Sequence, residues 1–286
     1  MKATYEKLTQ FPEEGFALKE IRGDDCNCPW HFHSECELIL AVQSRGYRIV
    51  GDNVTSLLPG DLVLVGANLP HVYQHEDPIS GPSAPPHCIL IQFEEQNWSG
   101  LLQMPALAGV RGLLRRASLG LQFTGRTRDK AAGLMQKMLQ QRGVQRINAF
   151  LAILDLLARA RSARPIASPG FARVLSPHDE ERVNRVWQFI NEQYQRPISL
   201  REVARLVHMS DGAFSRFFRA HMGKTFPAFV NALRVGRACR LLAETELSVT
   251  EIALSCGYQN LSNFNRQFAR LKKTSPRSFR RRLVGA

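Results

Sequence analysis

A chain of 286 residues has room for two domains, and with 44% hydrophobic and 22% charged residues it reads as globular rather than disordered or fibrous. Its opening, MKATYEKLTQFPEEG, lacks the apolar core of a secretory leader, and runs such as LVLVGANL have the length of a buried strand rather than a bilayer span; the expected location is the cytoplasm. The net charge of +13 is unevenly placed: His178–Ala286 holds 19 basic against 9 acidic side chains, and the first 177 residues 19 against 16, so a polyanion is expected to meet the last third.

Residues 5–95 consist of short apolar or alternating runs (ELILAVQSRGYRIVGDNV, SLLPGDLVLVGANLPHVY, CILIQF) broken by closely spaced turn residues, the pattern of an all-β sandwich or barrel. Within it lies WHFHSECEL, residues 30–38. On an extended strand His31, His33, Glu35 and Glu37 would share one face, and such a face is either a metal centre or a recognition pocket. The six cysteines, at 26, 28, 36, 88, 239 and 256, are too sparse for a disulfide scaffold. CNCPWHFHSEC lacks the C-x2-C spacing of a zinc knuckle, so the thiols read as reduced and without a role.

Residues 105–161 change to helical spacing. TRDKAAGLMQKMLQ and RINAFLAILDLLARAR predict two helices separated near Gly143, the second with Ile147, Leu151, Leu154 and Ala158 on its apolar stripe. Such a pair can cover the sheet of its own domain or form the surface of a homodimer. Residues 161–180, rich in Pro, Ser and Ala, read as a linker, which divides the chain into domains at 1–160 and 181–286.

The helical third contains a repeat. ISLREVARLVHMSDGAFSRFFRAHMGKT (198–225) aligns with LSVTEIALSCGYQNLSNFNRQFARLKKT (247–274). Ser199 and Glu202 correspond to Ser248 and Glu251, an S-x-x-E capping box that starts a helix in each copy. Ala204 matches Ala253 at an offset of 49; one extra turn residue then makes the offset 50, pairing Phe214 with Phe264, Arg216 with Arg266 and Phe218 with Phe268. Each copy thus reads as helix, tight turn, helix. In the first copy Phe214, Phe217 and Phe218 face inward and leave Ser215, Arg216 and Arg219 outside; in the second, Leu261, Phe264, Phe268 and Leu271 face inward and leave Asn263, Arg266 and Arg270 on another side. Asn and Arg can read base edges in a major groove. Between the copies, TFPAFVNALRVGRACRLLAET reads as one helix of about 25 Å with Pro227 in its first turn, a length that lets two recognition helices enter successive grooves about 34 Å apart.

Residues 181–283 resemble the tandem helix-turn-helix domain of the AraC/XylS family of bacterial transcription regulators. The resemblance is carried by Ile252, Ala253, Gly257, Tyr258, Phe264, Arg266, Phe268, Ser275, Pro276, Phe279 and Arg280; it departs at Lys273, where the family has glycine and the first copy keeps Gly223. Carried over, the base-reading positions are Gly212, Ser215 and Arg216, then Leu261, Ser262, Asn263 and Arg266, while Arg219, Lys224, Arg270, Lys272 and Arg277 are expected on phosphates. Gly212 offers the groove no side chain.

The N-terminal half is similar to the cupin sensor domain of many such regulators: His31, His33 and Glu37 give H-x-H-x3-E, and His71 follows in the next element. The resemblance implies a multidomain α+β chain with a cupin-like β-barrel and helical segment, followed by an all-α domain of two helix-turn-helix motifs joined by a linker helix. It implies a small-molecule effector, a sugar or an organic acid, held by His31, His33, Glu37 and His71, and RNA polymerase as a further partner. No catalytic residue and no cofactor is required, although the same four residues could bind iron, manganese or zinc. The alternative is a metal-dependent cupin enzyme fused to a DNA-binding tail.

Overall fold

The structure, a computed structural model, describes residues 14–26, 28, 30–75, 85–161, 163–169, 171 and 177–284. Strands β1 (Ala17–Arg22), β2 (Cys36–Gln43), β3 (Gly46–Val50), β4 (Asn53–Leu57), β5 (Leu62–Val65), β6 (His71–His75) and β7 (His87–Phe93) form where the turn-punctuated runs predicted them. With β8 (Leu121–Phe123) and β9 (Arg164–Pro165) they make two antiparallel sheets, ordered β1-β7-β2-β5-β8-β9 and β4-β3-β6.

The larger sheet is buried on both faces, which explains its near-continuous apolar strands. Successive side chains alternate, so Leu38, Leu40, Leu62, Leu64, Ile89 and Ile91 pack against helices, while Ile39, Ala41, Val63 and Val65 meet Val50, Leu57 and Tyr73 of the smaller sheet. After a short turn, α1 (Ser99–Leu102), the helices α2 (Ala108–Ala117), α3 (Gly125–Met138) and α4 (Gly143–Ala158) form that cover. The apolar stripe of α4 is centred on Phe150, Ile153, Leu154 and Leu157; Ile147, Leu151 and Ala158 lie at its half-buried margin.

Three features differ from expectation. Residues 105–161 hold β8 as well as helices, because three residues are too few to display a period of two. The stretch read as a linker is tied to the larger sheet, where β9 pairs with β8 and Ala167 enters the core; its residues 162, 170 and 172–176 lie outside those described. Finally, β2 begins only at Cys36. His31 makes a single bridge to His71, so residues 31–35 are not one extended face.

The last third is α5 (Pro177–Gln193), α6 (Leu200–Leu206), α7 (Asp211–Met222), α8 (Phe226–Glu244), α9 (Val249–Ser255), α10 (Leu261–Lys272) and α11 (Pro276–Val284). The one-residue difference between the copies sits in their turns. Met209 N–H bonds the Ala204 carbonyl and Tyr258 N–H the Ala253 carbonyl, yet the next helices are capped by Ser210 and Asn260, one position further apart. Gly257 has a positive φ of 81°, and a side chain there would collide with the Tyr194 carbonyl; His208 takes the same left-handed turn at φ 55° in the first copy. Lys273, the departure from the family pattern, ends α10 in the left-handed conformation with which Gly223 ends α7, at a cost of about 1–2 kcal/mol for a residue with a Cβ.

Only the second capping box is complete. Ser248 and Glu251 exchange both hydrogen bonds, whereas Glu202 turns to Arg196 at 2.5 Å and leaves Ser199 with one. The inward stripe of α10 is also narrower than expected: Phe264 and Phe268 are fully buried, but Leu261 and Leu271 are 37% and 36% exposed.

The helix joining the copies, α8, is the element on which the smaller sheet docks. Tyr47 and Ile49 of β3 join Trp187, Phe229 and Leu233 in one core. The Arg237 guanidinium stacks between the rings of Tyr47 (4.9 Å) and Tyr194 (3.9 Å) and donates to Asn191 Oδ1 at 2.8 Å, which also accepts from Tyr47 Oη at 2.5 Å. Arg45 pairs with Glu244 at the far end of α8, at 3.5 Å.

Candidate functional site

Two regions concentrate the sequence-derived residues. The first is the outer face of α7 and α10. Burying Phe214, Phe217 and Phe218 turns Gly212, Ser215, Arg216 and Arg219 to solvent, and burying Phe264 and Phe268 does the same for Leu261, Ser262, Arg266 and Arg270. Asn263 is half-buried: its side-chain oxygen accepts from Arg266 at 3.0 Å, so the two side chains that could read adjacent bases also brace each other. Lys272 is half-buried and Arg277 exposed. Leu261 therefore stands with the surface residues rather than with the core.

Lys224 stands apart from this set. Its ammonium donates to the Asp52 backbone carbonyl and lies 3.4 Å from Asp52 Oδ2, and Asp52 is buried in the turn between β3 and β4. The other Asp52 bonds come from Ser168 N and Ser168 Oγ, both at 2.8 Å. A lysine expected on phosphate is thus held by the smaller sheet, a contact between positions 172 residues apart that no local pattern announces.

The second region is a cavity of about 380 Å3 between the sheets. Alternation along β2 and β7 sends Glu37, Ile39, Cys88, Leu90 and Gln92 into it. His31 and Glu37 line its wall. His33 and His71 do not; they lie behind Glu37, at 3.3 Å and 3.5 Å from its carboxylate, and the Gln92 amide donates to the same group. Glu35 turns back to His33 Nδ1 at 3.3 Å and points away from the cavity, because residues 31–35 leave the strand path. Gln92 was not anticipated; its place opposite Glu37 follows from the β2–β7 register.

The polar cluster is strongly coupled. Burial opposes charge on His33, but the carboxylates of Glu35 and Glu37 outweigh it and lift the imidazole to about 10. Burial likewise opposes charge on Glu37, and His33 and His71 overcome it, holding the carboxyl well below its usual range. The donor set also fits a divalent cation: His31, His33 and His71 each offer one nitrogen, all within 4.8 Å of one another, and the Nε2 atoms of His33 and His71 have no aligned hydrogen bond. A cation held there with Glu37 would polarise an oxygen of a bound molecule. Without one, the same residues form an ion-paired wall that presents His31, Glu37 and Gln92 to a polar ligand.

Among the described residues no helix is long and apolar enough to cross a membrane. Residues 203–282 match the family model described as a helix-turn-helix domain. Over 254 residues the chain is 25% identical to the transcriptional activator RhaR of Cronobacter sakazakii, an alignment covering 87% of this chain and 86% of that one. It is 22% identical over 261 residues to the transcriptional activator RhaS of Salmonella schwarzengrund, covering 88% and 87%. A solved transcriptional regulator with an AraC-type DNA-binding domain, from Chromobacterium violaceum, matches 38% of this chain and 96% of its own at 22% identity, with a TM-score of 0.35.

Proposed function

We propose that this chain, whose last third is an AraC-type DNA-binding domain, is a one-component regulator of the AraC/XylS family with a cupin-like sensor as its N-terminal half. Acting in the cytoplasm, it binds a small polar effector, a sugar or an organic acid, in the cavity against His31, Glu37 and Gln92, with His33 and His71 fixing Glu37 from behind. The two recognition helices read bases through Ser215, Arg216, Ser262, Asn263 and Arg266, with Arg219, Arg270, Lys272 and Arg277 on phosphates. We infer that the output is activation, the role that the names of RhaR and RhaS give to those proteins, with RNA polymerase as the further partner.

One observation carries this reading: the helix that spaces the two readers is also the helix on which the sheet rests. His71, on β6, bridges to His31 at the cavity; β6 pairs with β3, and β3 carries the Tyr47 that stacks on Arg237 of α8. A ligand that favours one setting of β6 therefore acts two strands from the spacer, and it shifts the regulator only by its difference in affinity for the two settings. No metal is required for that work.

The test is a screen of sugars and organic acids by thermal shift, followed by DNA binding with the ligand found. A ligand at about 100 times its Kd stabilises the chain by about 2.7 kcal/mol. The reading expects that ligand to change operator affinity or transcription, and His31→Ala or Glu37→Gln to abolish the shift. A ligand that raises Tm through this cavity and leaves affinity, DNA geometry and transcription unchanged contradicts it.

A further inference from the structure

The cavity has a second group of donors that the histidine-rich motif does not include. Cys26 ends the 3-10 turn Gly23–Cys26 after β1, His75 ends β6 and Cys88 lies near the start of β7. One ligand atom from each falls within 4.8 Å of the others, and all three residues are buried while lining the cavity. Cys88 Sγ is 3.7 Å from His75 Nε2. For a tetrahedral ion with metal–sulfur bonds of about 2.3 Å and metal–nitrogen bonds of about 2.0–2.1 Å, the sulfur–nitrogen edge is about 3.6 Å, so this edge is already at coordination length. Behind it, Ser44 Oγ lies 3.4 Å from Cys88 Sγ and 3.1 Å from the His87 carbonyl, so its hydroxyl hydrogen can turn from that carbonyl to a ligating thiolate.

We propose that Cys26, His75 and Cys88 form a binding site for a thiophilic d10 metal ion, Zn2+ or Cu+, distinct from the His31, His33 and His71 cluster. Two thiolates and one imidazole suit such ions, whereas imidazole with carboxylate suits harder ones. On binding, the two thiols release their protons to solvent and form two metal–sulfur bonds, and neutral His75 gives a nitrogen lone pair; no electron is transferred. The fourth position of a tetrahedral ion is left to a ligand from the cavity, water or a donor atom of a bound molecule. Since Cys88 belongs to the larger sheet and His75 to the smaller, the ion ties the two sheets together beside the β2–β3 turn. Cys26 is recruited across 62 positions rather than by its neighbours Cys28 and Cys36, which is why its spacing in the sequence looked meaningless. The binding step does not depend on the regulatory reading.

The experiment is metal titration of the reduced full-length chain without oxygen, using Co2+ as the optical probe and Zn2+ or Cu+ in competition against a chromophoric chelator. One equivalent is expected to bind with a sulfur-to-cobalt charge-transfer band; a further equivalent taken by the histidine cluster would lack that band. Cys26→Ser and Cys88→Ser should each weaken binding at least tenfold, and His31→Ala should leave the band in place. X-ray absorption on the Zn2+-loaded wild-type chain, which involves no variant, should show two sulfur neighbours at about 2.3 Å. A shell of nitrogen and oxygen only, a band that persists in Cys88→Ser, loss of the band in His31→Ala, or no uptake of either metal overturns the proposal.

Discussion

The first helix-turn-helix copy shares its core with the smaller sheet: Trp30, Tyr47, Ile49 and Val72 belong to one cluster with Phe214, Phe218 and Leu233. The second closes its core around Ile252, Phe264 and Phe268, with no strand residue among those described. The copies also end differently, since the loop after α7 is pinned by Lys224 on Asp52 and α10 ends in exposed Lys273. Two motifs of the same helix-turn-helix plan have thus been given unequal access to the sheet. Under the proposed regulation, an event in the cavity would act first on the first copy and the spacer, which pack on the smaller sheet, and on the second copy through α8.

Removing a ring from the second core breaks or sustains that contrast most forcefully. Phe268→Ala should cost about 3–5 kcal/mol locally. If the second copy is self-contained, hydrogen exchange will accelerate in α9 and α10 while β3 and β6 keep their protection; loss of protection in β3 would merge the two regions. On DNA, Arg216→Ala and Arg266→Ala should each weaken specific binding by about 1–3 kcal/mol in competition assays. Equal losses on scrambled DNA would reassign that side chain to phosphate.

The Asp52–Lys224 contact sharpens the comparison further. Asp52→Ala releases Lys224 toward the backbone of DNA, so non-specific affinity should rise and the salt slope of binding steepen by about one. Lys224→Ala should leave the slope as it is in the parent chain; a shallower slope would mean that Lys224 already reaches phosphate. The smallest effect expected concerns the caps. Ser248→Ala should cost about 1 kcal/mol and Ser199→Ala a few tenths less, read from denaturant midpoints, because only the second box is complete.

Much of this architecture was written locally. The repeat, its caps, the phenylalanine stripes and the outward Arg216 and Arg266 follow from periods of three and four residues, which a single helix enforces. The alternation that sends Glu37 to the cavity is equally local. What escaped depends on pairing across the chain: Lys224 with Asp52, Arg237 between Tyr47 and Tyr194, Gln92 against Glu37, and Cys26 beside Cys88. The expected common face of His31, His33, Glu35 and Glu37 failed for a related reason. Strand geometry needs a continuous ladder, and from His31 to Cys36 the backbone instead makes the bridge to His71 and a hydrogen bond from Asn68 N–H to the His33 carbonyl at 2.8 Å.

At 19 residues, α8 measures about 28 Å, and with the widths of the motifs at its ends added the two proposed readers should fall about 34 Å apart, the separation of successive major grooves. Hydroxyl-radical footprinting of the full-length chain on a genomic fragment recovered by its own binding measures that separation. Two protected tracts centred about 10–10.5 base pairs apart on one face of the duplex are expected. Protection confined to a single groove, or spread without discrete tracts at physiological salt, would contradict a pair of readers held apart by one rigid helix.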